Sequence, residues 1–298
     1  MERRRERSVT VELPKLPDRA LLADLCRETA ARERVQPQLV EKDFYLTRLL
    51  WALGQSFGDE LLLKGGTLLS KVDLGFFRMS EDADLVLPGP ASRQRLTNVR
   101  RMHRVRDVLK EIGPVAGVSA RFPAGELFEK ATHGMWQLDY PSEFGPQGLR
   151  LEVSIRTILR PAREVHLRQL LDDPLAGNVS TARCFALDAD EARAEKARAA
   201  FTREAVRDFY DLERLHERKA DLASEEFIQL VDAKLAELGA PPMAKQTKSF
   251  GLTEKRRRKI EAGLARDLPA VLRTDAPEFD LDAMLARFDR LWRNVLQK

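Results

Sequence analysis

The sequence predicts an α/β (α+β) fold, in which a small mixed β-sheet with its helices is followed by a mostly helical C-terminal lobe. The segment Leu61–Leu87 has the pattern of a strand, a glycine turn, a helix and a second strand. From Leu159 onward the patterns are mainly helical. The chain has 298 residues, 43% apolar and 33% charged, which is enough for two lobes. We therefore expect an N-terminal lobe over residues 1–158 and a helical C-terminal lobe over residues 159–298.

Two helices are expected before the sheet, over Pro17–Arg34 and Pro37–Ala52, the second with proline in its first turn. The sheet is expected between Glu60 and Ile158. Within it, Gly134–Tyr140 and Leu149–Ile158 predict an antiparallel hairpin, because the loop between them is rich in proline and glycine. The main helices of the C-terminal lobe are expected over Ser224–Leu238, Thr253–Leu272 and Leu281–Gln297.

Asp82 and Asp84 lie in the second strand of the first segment. Because strand side chains alternate between faces, both carboxylates point to one side while Ala83, Leu85 and Leu87 point into the core. Two neighbouring carboxylates repel each other, and either a shared proton or a divalent metal relieves the repulsion. Mg²⁺ is commonly held by one or two carboxylates together with substrate phosphates and water. The pair therefore predicts a Mg²⁺ site, with Mn²⁺ as an alternative ion.

A glycine pair, Gly65 and Gly66, ends sixteen residues before Asp82. Glycines let the backbone approach a phosphate closely, and the helix expected to begin near Thr67 turns its positive end toward the same anion. A lone glycine pair or a lone D-x-D pattern is common in proteins and specifies little. The two together predict a site for a nucleoside triphosphate (NTP) and Mg²⁺.

The segment resembles the AbiEii/AbiGii toxin family of nucleotidyltransferases, relatives of the DNA polymerase β superfamily. That family shows K-G-G-[TS] followed by R-x-S-x-D-x-D, and the chain has Lys64–Thr67 and Arg78–Asp84 at the corresponding places. The other motifs that carry the resemblance are E-K-D-aromatic at Glu41–Tyr45, a third strand at Leu151–Ser154, a helix lysine at Glu195–Lys196 and R-D-x-x-D-L at Arg207–Leu212. The matches occur in the family's order and span roughly Glu41 to Leu212.

This resemblance implies the toxin of a bacterial toxin–antitoxin system, with a cognate antitoxin protein as partner. It implies a Mg²⁺-dependent nucleotidyltransferase that moves a nucleoside monophosphate from an NTP to an RNA acceptor, the 3′ end of a tRNA, and so blocks translation. The nucleotide-binding residues that it implies are Gly65, Gly66, Thr67, Ser80 and Lys196. The catalytic residues that it implies are Asp82, Asp84, Lys196 and Asp211, the last two from the C-terminal lobe.

Glu152 lies in the predicted strand Arg150–Ile155, where it alternates with apolar residues. Its carboxylate is then on the polar face and would join Asp82 and Asp84 as a third metal ligand. A solvated strand carboxylate is an equally good interpretation.

Lys196 lies in the alanine-rich run 187–200, which has strong helix propensity and a capping-box-like start at Asp188 and Glu191. Most lysines on such a helix are solvated. The resemblance alone favours Lys196, over Arg193 and Arg198, as the cation that holds the triphosphate.

Asp211 lies in the next predicted helix, about Thr202–Arg218, four residues after Arg207. A surface ion pair between these two residues is one interpretation. The resemblance favours Asp211 as the site residue, with Asp208 as its structural partner.

A basic run follows between Ala240 and Ile260, where seven basic residues stand against the single acid Glu254. They are Lys245, Lys248, Lys255, Arg256, Arg257, Arg258 and Lys259. A run of this kind is either a solvated helix face or a contact surface for RNA phosphates. The arm Arg3–Arg5 would add to the same surface or form a disordered tail.

The composition excludes several other classes of protein. Two cysteines give no disulfide framework, and four scattered histidines lack zinc-ligand spacing. The sequence has no apolar run of the eighteen or so residues needed to span a bilayer and no signal-peptide pattern, so we expect a cytoplasmic protein without a membrane partner. Two other functions stay open: nucleotidylation of a protein or small-molecule hydroxyl, and a non-catalytic nucleotide- or RNA-binding module.

Overall fold

A mixed sheet of eight strands lies at the centre of the part of the chain that the computed structural model describes, residues 11–80, 82–122, 127–171, 181–246 and 249–296. The strands are β1 (Leu62–Lys64), β2 (Asp82–Pro88), β3 (Ser119–Arg121), β4 (Leu127–Phe128), β5 (His133–Tyr140), β6 (Gln147–Arg156), β7 (Arg163–His166) and β8 (Arg183–Ala186). Their order across the sheet is β3-β5-β6-β2-β1-β8-β7, with β4 paired to β5. The predicted α/β (α+β) class is confirmed.

Helices pack on both sides of the chain's sheet and make up most of its second half. They are α1 (Arg19–Glu33), α2 (Pro37–Phe57), α3 (Gly65–Leu68), α4 (Arg95–Ala116), α5 (Ala189–Thr202), α6 (Val206–Glu217), α7 (Glu225–Ala236), α8 (Glu254–Arg266) and α9 (Leu281–Leu296). Short polar side chains fix several starts, because each accepts a hydrogen bond from a backbone N–H of the first turn. Asp18 caps α1, Ser224 caps α7 and Thr253 caps α8.

The strands that carry the site pair in the middle of the sheet. β2 runs antiparallel to β1 and parallel to β6, so that Asp84 lies opposite both Lys64 and Glu152. β5 and β6 form the predicted antiparallel hairpin around the proline- and glycine-containing loop. The alternation predicted for β2 is confirmed: Ala83, Leu85 and Leu87 are buried in the core, and the two aspartates are on the other face.

The expectation that the chain is helical from Leu159 onward is wrong at the start of that range. β7 and β8 pair antiparallel, and β8 then joins the sheet parallel to β1. Each has only four residues, so the hydrophobic alternation is too short to be recognised in the sequence. The sheet therefore extends past the lobe boundary expected at Ile158.

The buried apolar side chains of the described residues form two clusters. One joins the sheet to α1, α2 and α4; the other joins α5, α6, α7 and α9 and includes Leu69, whereas its neighbour Leu68 belongs to the first. Leu69 begins a π-helical turn, Leu69–Asp73, that continues α3. The glycine turn is thus held between the two clusters. None of the described helices has the length and apolar character needed to cross a bilayer.

A buried ion pair ties this turn to α2. The Lys71 ammonium lies 2.5 Å from the Asp43 carboxylate and 2.6 Å from the Thr47 hydroxyl. Asp43 also accepts a 2.9 Å hydrogen bond from the backbone N–H of Leu170. The aspartate of the E-K-D-aromatic motif is enclosed by these groups, so its role is to stabilise the fold.

Candidate functional site

Three carboxylates and a lysine lie on one face at the middle of the sheet. Asp82 and Asp84 are two residues apart on β2, and Glu152 is directly opposite Asp84 on β6. Neighbouring strands are about 4.8 Å apart, so Asp84 and Glu152 lie side by side. Lys64 flanks Asp84 from β1, with 4.0 Å between its ammonium and Asp84 Oδ1.

Arg150 bridges two of these carboxylates. Its Nη2 donates to Asp82 Oδ2 over 2.6 Å, and its Nε lies 3.2 Å from Glu152 Oε1. The hydrogen bond to Asp82 raises the pKa of Arg150, which keeps the guanidinium charged. Its side chain is 48% exposed. In the predicted strand Arg150–Ile155, Arg150 alternates onto the same polar face as Glu152, but its ion pair with Asp82 becomes visible only once β2 and β6 are paired.

Each glycine of the turn leaves room for the side chain of a different neighbouring residue. A Cβ at Gly65 would lie 2.4 Å from Asp84 Oδ2, and one at Gly66 would lie 2.2 Å from Arg78 Nη2. Gly65 also has φ +73°, a conformation that favours glycine. The backbone therefore touches both a site carboxylate and a buried guanidinium, and no larger residue fits without moving them.

Two hydroxyls connect the helix after the glycines to the strand with the aspartates. Thr67 Oγ1 and Ser80 Oγ are 2.8 Å apart and share a hydrogen bond, and Thr67 also donates to the Asp82 carbonyl. Because a hydroxyl has a single proton, Ser80 is then the donor to Thr67. These bonds fix the start of β2 against α3 and place Ser80 beside Gly66.

Asp211 is fully buried between two cations from distant parts of the chain. Arg78 donates to it twice, over 2.6 Å from Nε to Oδ1 and over 2.8 Å from Nη2 to Oδ2. The Lys196 ammonium lies 2.8 Å from Asp211 Oδ2 and 2.8 Å from Asp208 Oδ1. Burial by itself would raise the pKa of Asp211, but the charges of Arg78 and Lys196 hold that pKa below its usual range.

The surface ion pair considered for Arg207 and Asp211 is therefore wrong. Asp211 faces the interior, while Arg207 donates to the Asp267 carbonyl over 3.3 Å. Lys196 is only 8% exposed and is held by Asp208 as well as by Asp211. Lys196 and Asp211, the two predicted site residues from the second half of the chain, thus contact each other. They lie next to the glycine turn, because Arg78 binds Asp211 and also lies beside Gly66.

Other charged residues on α5 are buried as well. Arg198 is buried and pairs with Glu195 at 3.0 Å. Glu191 accepts hydrogen bonds from the backbone N–H of Leu159 and pairs with the Lys234 ammonium at 2.5 Å. The helix is enclosed because α6 and α7 pack against it, and sequence propensity carries no information on such neighbours. The cap predicted at Asp188 is confirmed.

The basic run is largely engaged within the protein. Arg256 donates to four backbone carbonyls, including those of Ala200 and Arg203 at 3.0 and 2.8 Å. Arg257 pairs with Glu261 and Asp282, and Lys259 pairs with Glu204 at 2.5 Å. The exposed members among the described residues that are not tightly paired are Lys245, Lys255 and Arg258. Lys248 and the arm Arg3–Arg5 lie outside the described residues.

The donor set at the middle of the sheet fits a magnesium ion. Asp82 and Asp84 supply two carboxylates on one face, with Glu152 beside Asp84. In the described ranges no group of three or more His, Cys, Asp or Glu side chains is placed to hold a metal ion together, so Asp82 and Asp84 are the protein ligands that this arrangement offers. Mg²⁺ typically takes one or two protein carboxylates and completes its shell with phosphates and water, so a partial protein site is the kind that it uses.

Comparison with known proteins places the chain in a family. The family model described as nucleotidyl transferase AbiEii toxin, type IV toxin–antitoxin system, matches residues 48–297, which include every predicted site residue. No curated protein matches significantly.

Solved structures support the same fold. MenT4, a nucleotidyltransferase toxin from Mycobacterium tuberculosis, has a TM-score of 0.63 at 20% identity, with 94% of this chain and 90% of that chain covered. A putative nucleotidyltransferase from Helicobacter pylori has a TM-score of 0.50 at 17% identity, with 88% and 96% covered. At these identities the likeness shows the fold alone. The family model, however, spans most of the sequence, and the chain therefore belongs to the AbiEii family of nucleotidyltransferase toxins.

Proposed function

We propose that this nucleotidyltransferase moves a nucleoside monophosphate from an NTP to the 3′ end of a tRNA, and that the modified tRNA halts translation until a cognate antitoxin acts. The observation that carries the proposal is the carboxylate row of Asp82, Asp84 and Glu152 next to the glycine turn, in a chain of this family. The RNA acceptor rests on the family resemblance.

In this proposal Asp82 and Asp84 hold Mg²⁺, and Glu152 lies beside Asp84 on β6. The chemistry that a bound Mg²⁺ supplies is neutralisation of charge on the triphosphate and on the acceptor oxygen. Gly65 and Gly66 let the backbone approach the phosphates, since neither has a side chain in the way. The acceptor hydroxyl loses its proton to solvent, its oxygen forms a bond to the α-phosphorus, and pyrophosphate leaves with the electrons of the broken bond between the α-phosphorus and the bridging oxygen.

The remaining site residues act by holding these groups in place. Thr67 and Ser80 fix the start of β2, and so the direction of Asp82. Lys196 and Arg78 enclose Asp211 next to Gly66, and together with Asp208 they form a buried ion cluster that holds the turn where a triphosphate would lie. Lys64 adds a further cation beside Asp84.

The test is transfer of label. The protein is incubated with Mg²⁺, each of the four α-³²P-labelled NTPs in turn and total tRNA, and RNA and protein are separated before counting. We expect label in tRNA with at least one NTP, and its loss when the tRNA 3′ end is first oxidised with periodate. Label in protein instead of RNA, or no label with any NTP, would contradict the proposal.

Asp82→Ala and Asp84→Ala supply the active-site control and should each abolish transfer without unfolding the protein. Asp24→Ala is the matched control, because Asp24 is an exposed carboxylate on α1 that makes a local pair with Arg27. Full activity in either active-site variant would remove the metal assignment.

A further inference from the structure

Helix α4 begins with a cluster of arginines that the proposed reaction at Asp82 and Asp84 does not use. Between Ser92 and Arg106 the sequence has six arginines and no acidic residue, although the net charge of the whole chain is only +4. The six are Arg93, Arg95, Arg100, Arg101, Arg104 and Arg106.

Contacts divide this cluster into two groups. Arg101 donates to the carbonyl of Pro88 over 2.7 Å, Arg104 pairs with Glu60, and Arg106 lies 3.2 Å from Asp107. These three have partners within the protein.

The other three, Arg93, Arg95 and Arg100, are exposed and form no ion pair with any residue in the described ranges. They are the part of the cluster that is available to an external anion.

The stability of α4 does not account for these charges. The residue before the helix, Gln94, makes no side-chain cap, and the first turn contains no acidic residue. Arg95 is the first residue of the helix, where a positive charge opposes the helix dipole. Leu96, one residue later, is 69% exposed. Positive charges and an exposed apolar side chain destabilise the N-terminus of an isolated helix. Their presence at the start of α4 favours a role in binding another molecule.

We propose that Arg93, Arg95 and Arg100 form a docking surface for the phosphate backbone of the acceptor RNA; this rests on the proposed function. Guanidinium groups bind phosphate oxygens through two parallel hydrogen bonds, which makes arginine the side chain suited to a polyanion. We call this set the α4 surface. The basic run that the sequence favoured for the same role has most of its arginines paired internally, whereas these arginines are exposed.

The α4 surface lies at the end of the strand that carries the aspartates. Arg101 fixes this end of α4 to Pro88, the last residue of β2, four residues beyond Asp84. The path from Asp84 along β2 and around the sheet to the α4 surface is on the order of 20 Å, which equals about six phosphate-to-phosphate spacings of one strand, measured along the axis of a duplex. An RNA whose 3′ end reacts at Asp84 would then reach the α4 surface with the helical part of its acceptor arm.

The experiment measures tRNA binding by fluorescence anisotropy of a 5′-labelled tRNA between about 50 and 200 mM KCl, a range in which phosphate contacts dominate. The α4 variant carries Arg93→Ala, Arg95→Ala and Arg100→Ala. The matched control carries Lys245→Ala, Lys255→Ala and Arg258→Ala, which removes the same number of exposed cations from the basic run.

We expect the α4 variant to bind tRNA at least tenfold more weakly and to lose about two units of salt slope, at roughly 0.7 to 0.9 units per phosphate contact. The control should stay within about twofold of wild type, and the KM for NTP should be unchanged in both, because the carboxylate row is intact. The melting temperature of the α4 variant should be at least that of wild type, since charges opposing the helix dipole are removed.

Wild-type affinity and salt slope in the α4 variant, or equal losses in the two variants, would overturn the inference. The inference would also be overturned if these arginines were needed for binding to phosphatidylserine vesicles or to polyglutamate but not for binding to tRNA. If label is transferred to tRNA while the α4 variant binds normally, the inference fails and the proposed function stands. If wild type neither labels nor binds tRNA, both fail.

Discussion

Arg78 and Asp211 are 133 residues apart in the chain, and two hydrogen bonds of 2.6 and 2.8 Å join them in the buried interior. Arg78 also lies against Gly66, so the pair connects helix α6 directly to the glycine turn. Lys196 completes the arrangement from α5. The geometry of the turn is therefore set by residues from both halves of the chain.

Removing the carboxylate of Asp211 should destabilise the protein strongly. Asp211→Asn leaves the Arg78 guanidinium and the Lys196 ammonium buried without their shared anion, which typically costs about 3 to 5 kcal/mol. Urea unfolding measures the change. Asp190→Asn is the control, because Asp190 pairs with Arg193 in a half-exposed position and such pairs contribute about 0 to 1 kcal/mol. Equal effects in the two variants would contradict the buried network.

Substitution of Gly65 should disable the site for a steric reason. In Gly65→Ala the new Cβ would lie 2.4 Å from Asp84 Oδ2, so the carboxylate must move, and φ +73° adds strain of about 1 kcal/mol or more. We expect label transfer to fall at least a hundredfold. Gly58→Ala is the control, because Gly58 has φ +56° but nothing within 4 Å of a new Cβ. A similar loss of activity in both variants would show that backbone strain, and not contact with Asp84, is responsible.

Arg150 should compete with divalent cations for the site carboxylates. Its guanidinium is held by Asp82 and Glu152, and Arg150→Ala frees the oxygens that it occupies. We therefore expect tighter Mn²⁺ binding in the absence of nucleotide, by about threefold or more, measured by calorimetry or electron paramagnetic resonance. Arg121→Ala removes a comparable exposed arginine, paired with Asp139 in the same sheet, and should leave Mn²⁺ affinity unchanged. Unchanged or weaker Mn²⁺ binding in Arg150→Ala would refute the competition.

Glu195 should make stability fall in acid. Burial by itself would raise its pKa, but the charges of Arg198, Lys234 and Lys64 bring that pKa down from 4.5 to about 2. A carboxylate whose pKa is lowered by folding contributes stability that is complete above pH 4.5 and is lost as the pH falls toward 2. The contribution is on the order of 3 kcal/mol.

Unfolding measured from pH 7 to pH 2.5 in wild type and Glu195→Gln checks this expectation. The variant should be less stable than wild type at neutral pH, and the difference should shrink below pH 4.5. Glu226→Gln removes an exposed carboxylate that pairs with Arg160 and should follow the wild-type curve. A difference between Glu195→Gln and wild type that does not change with pH would mean that Glu195 titrates normally.

Local patterns were sufficient to predict the strand with the aspartates and the β5–β6 hairpin. Alternation with period two placed Ala83 and Leu85 inside and Asp82 and Asp84 on the other face, as the structure has them. The cap at Asp188 was predictable for the same reason, because a cap depends only on its own first turn.

The partners of the charged residues depend on contacts that local patterns do not contain. Asp211 meets Arg78 through the packing of α6 on the glycine turn, and no spacing along the chain indicates that pair. Arg198 is identical in local context to a solvated arginine, yet it is buried and pairs with Glu195. The same limit explains why the sequence predicts a helical region where β7 and β8 lie, since each strand is stabilised mainly by its neighbour in the sheet.

The parallel pairing of β1 with β8 sets the stage of synthesis at which the site can form. Leu63 emerges from the ribosome long before its sheet neighbour Ala186, and Arg78 emerges before Asp211. A nascent polypeptide that ends before β8 lacks the strand that pairs with β1, and one that ends before α6 still lacks the carboxylate that holds Arg78. We therefore expect incomplete translation products to be harmless to the cell that makes them, so that toxicity begins only with chains that have passed Asp211.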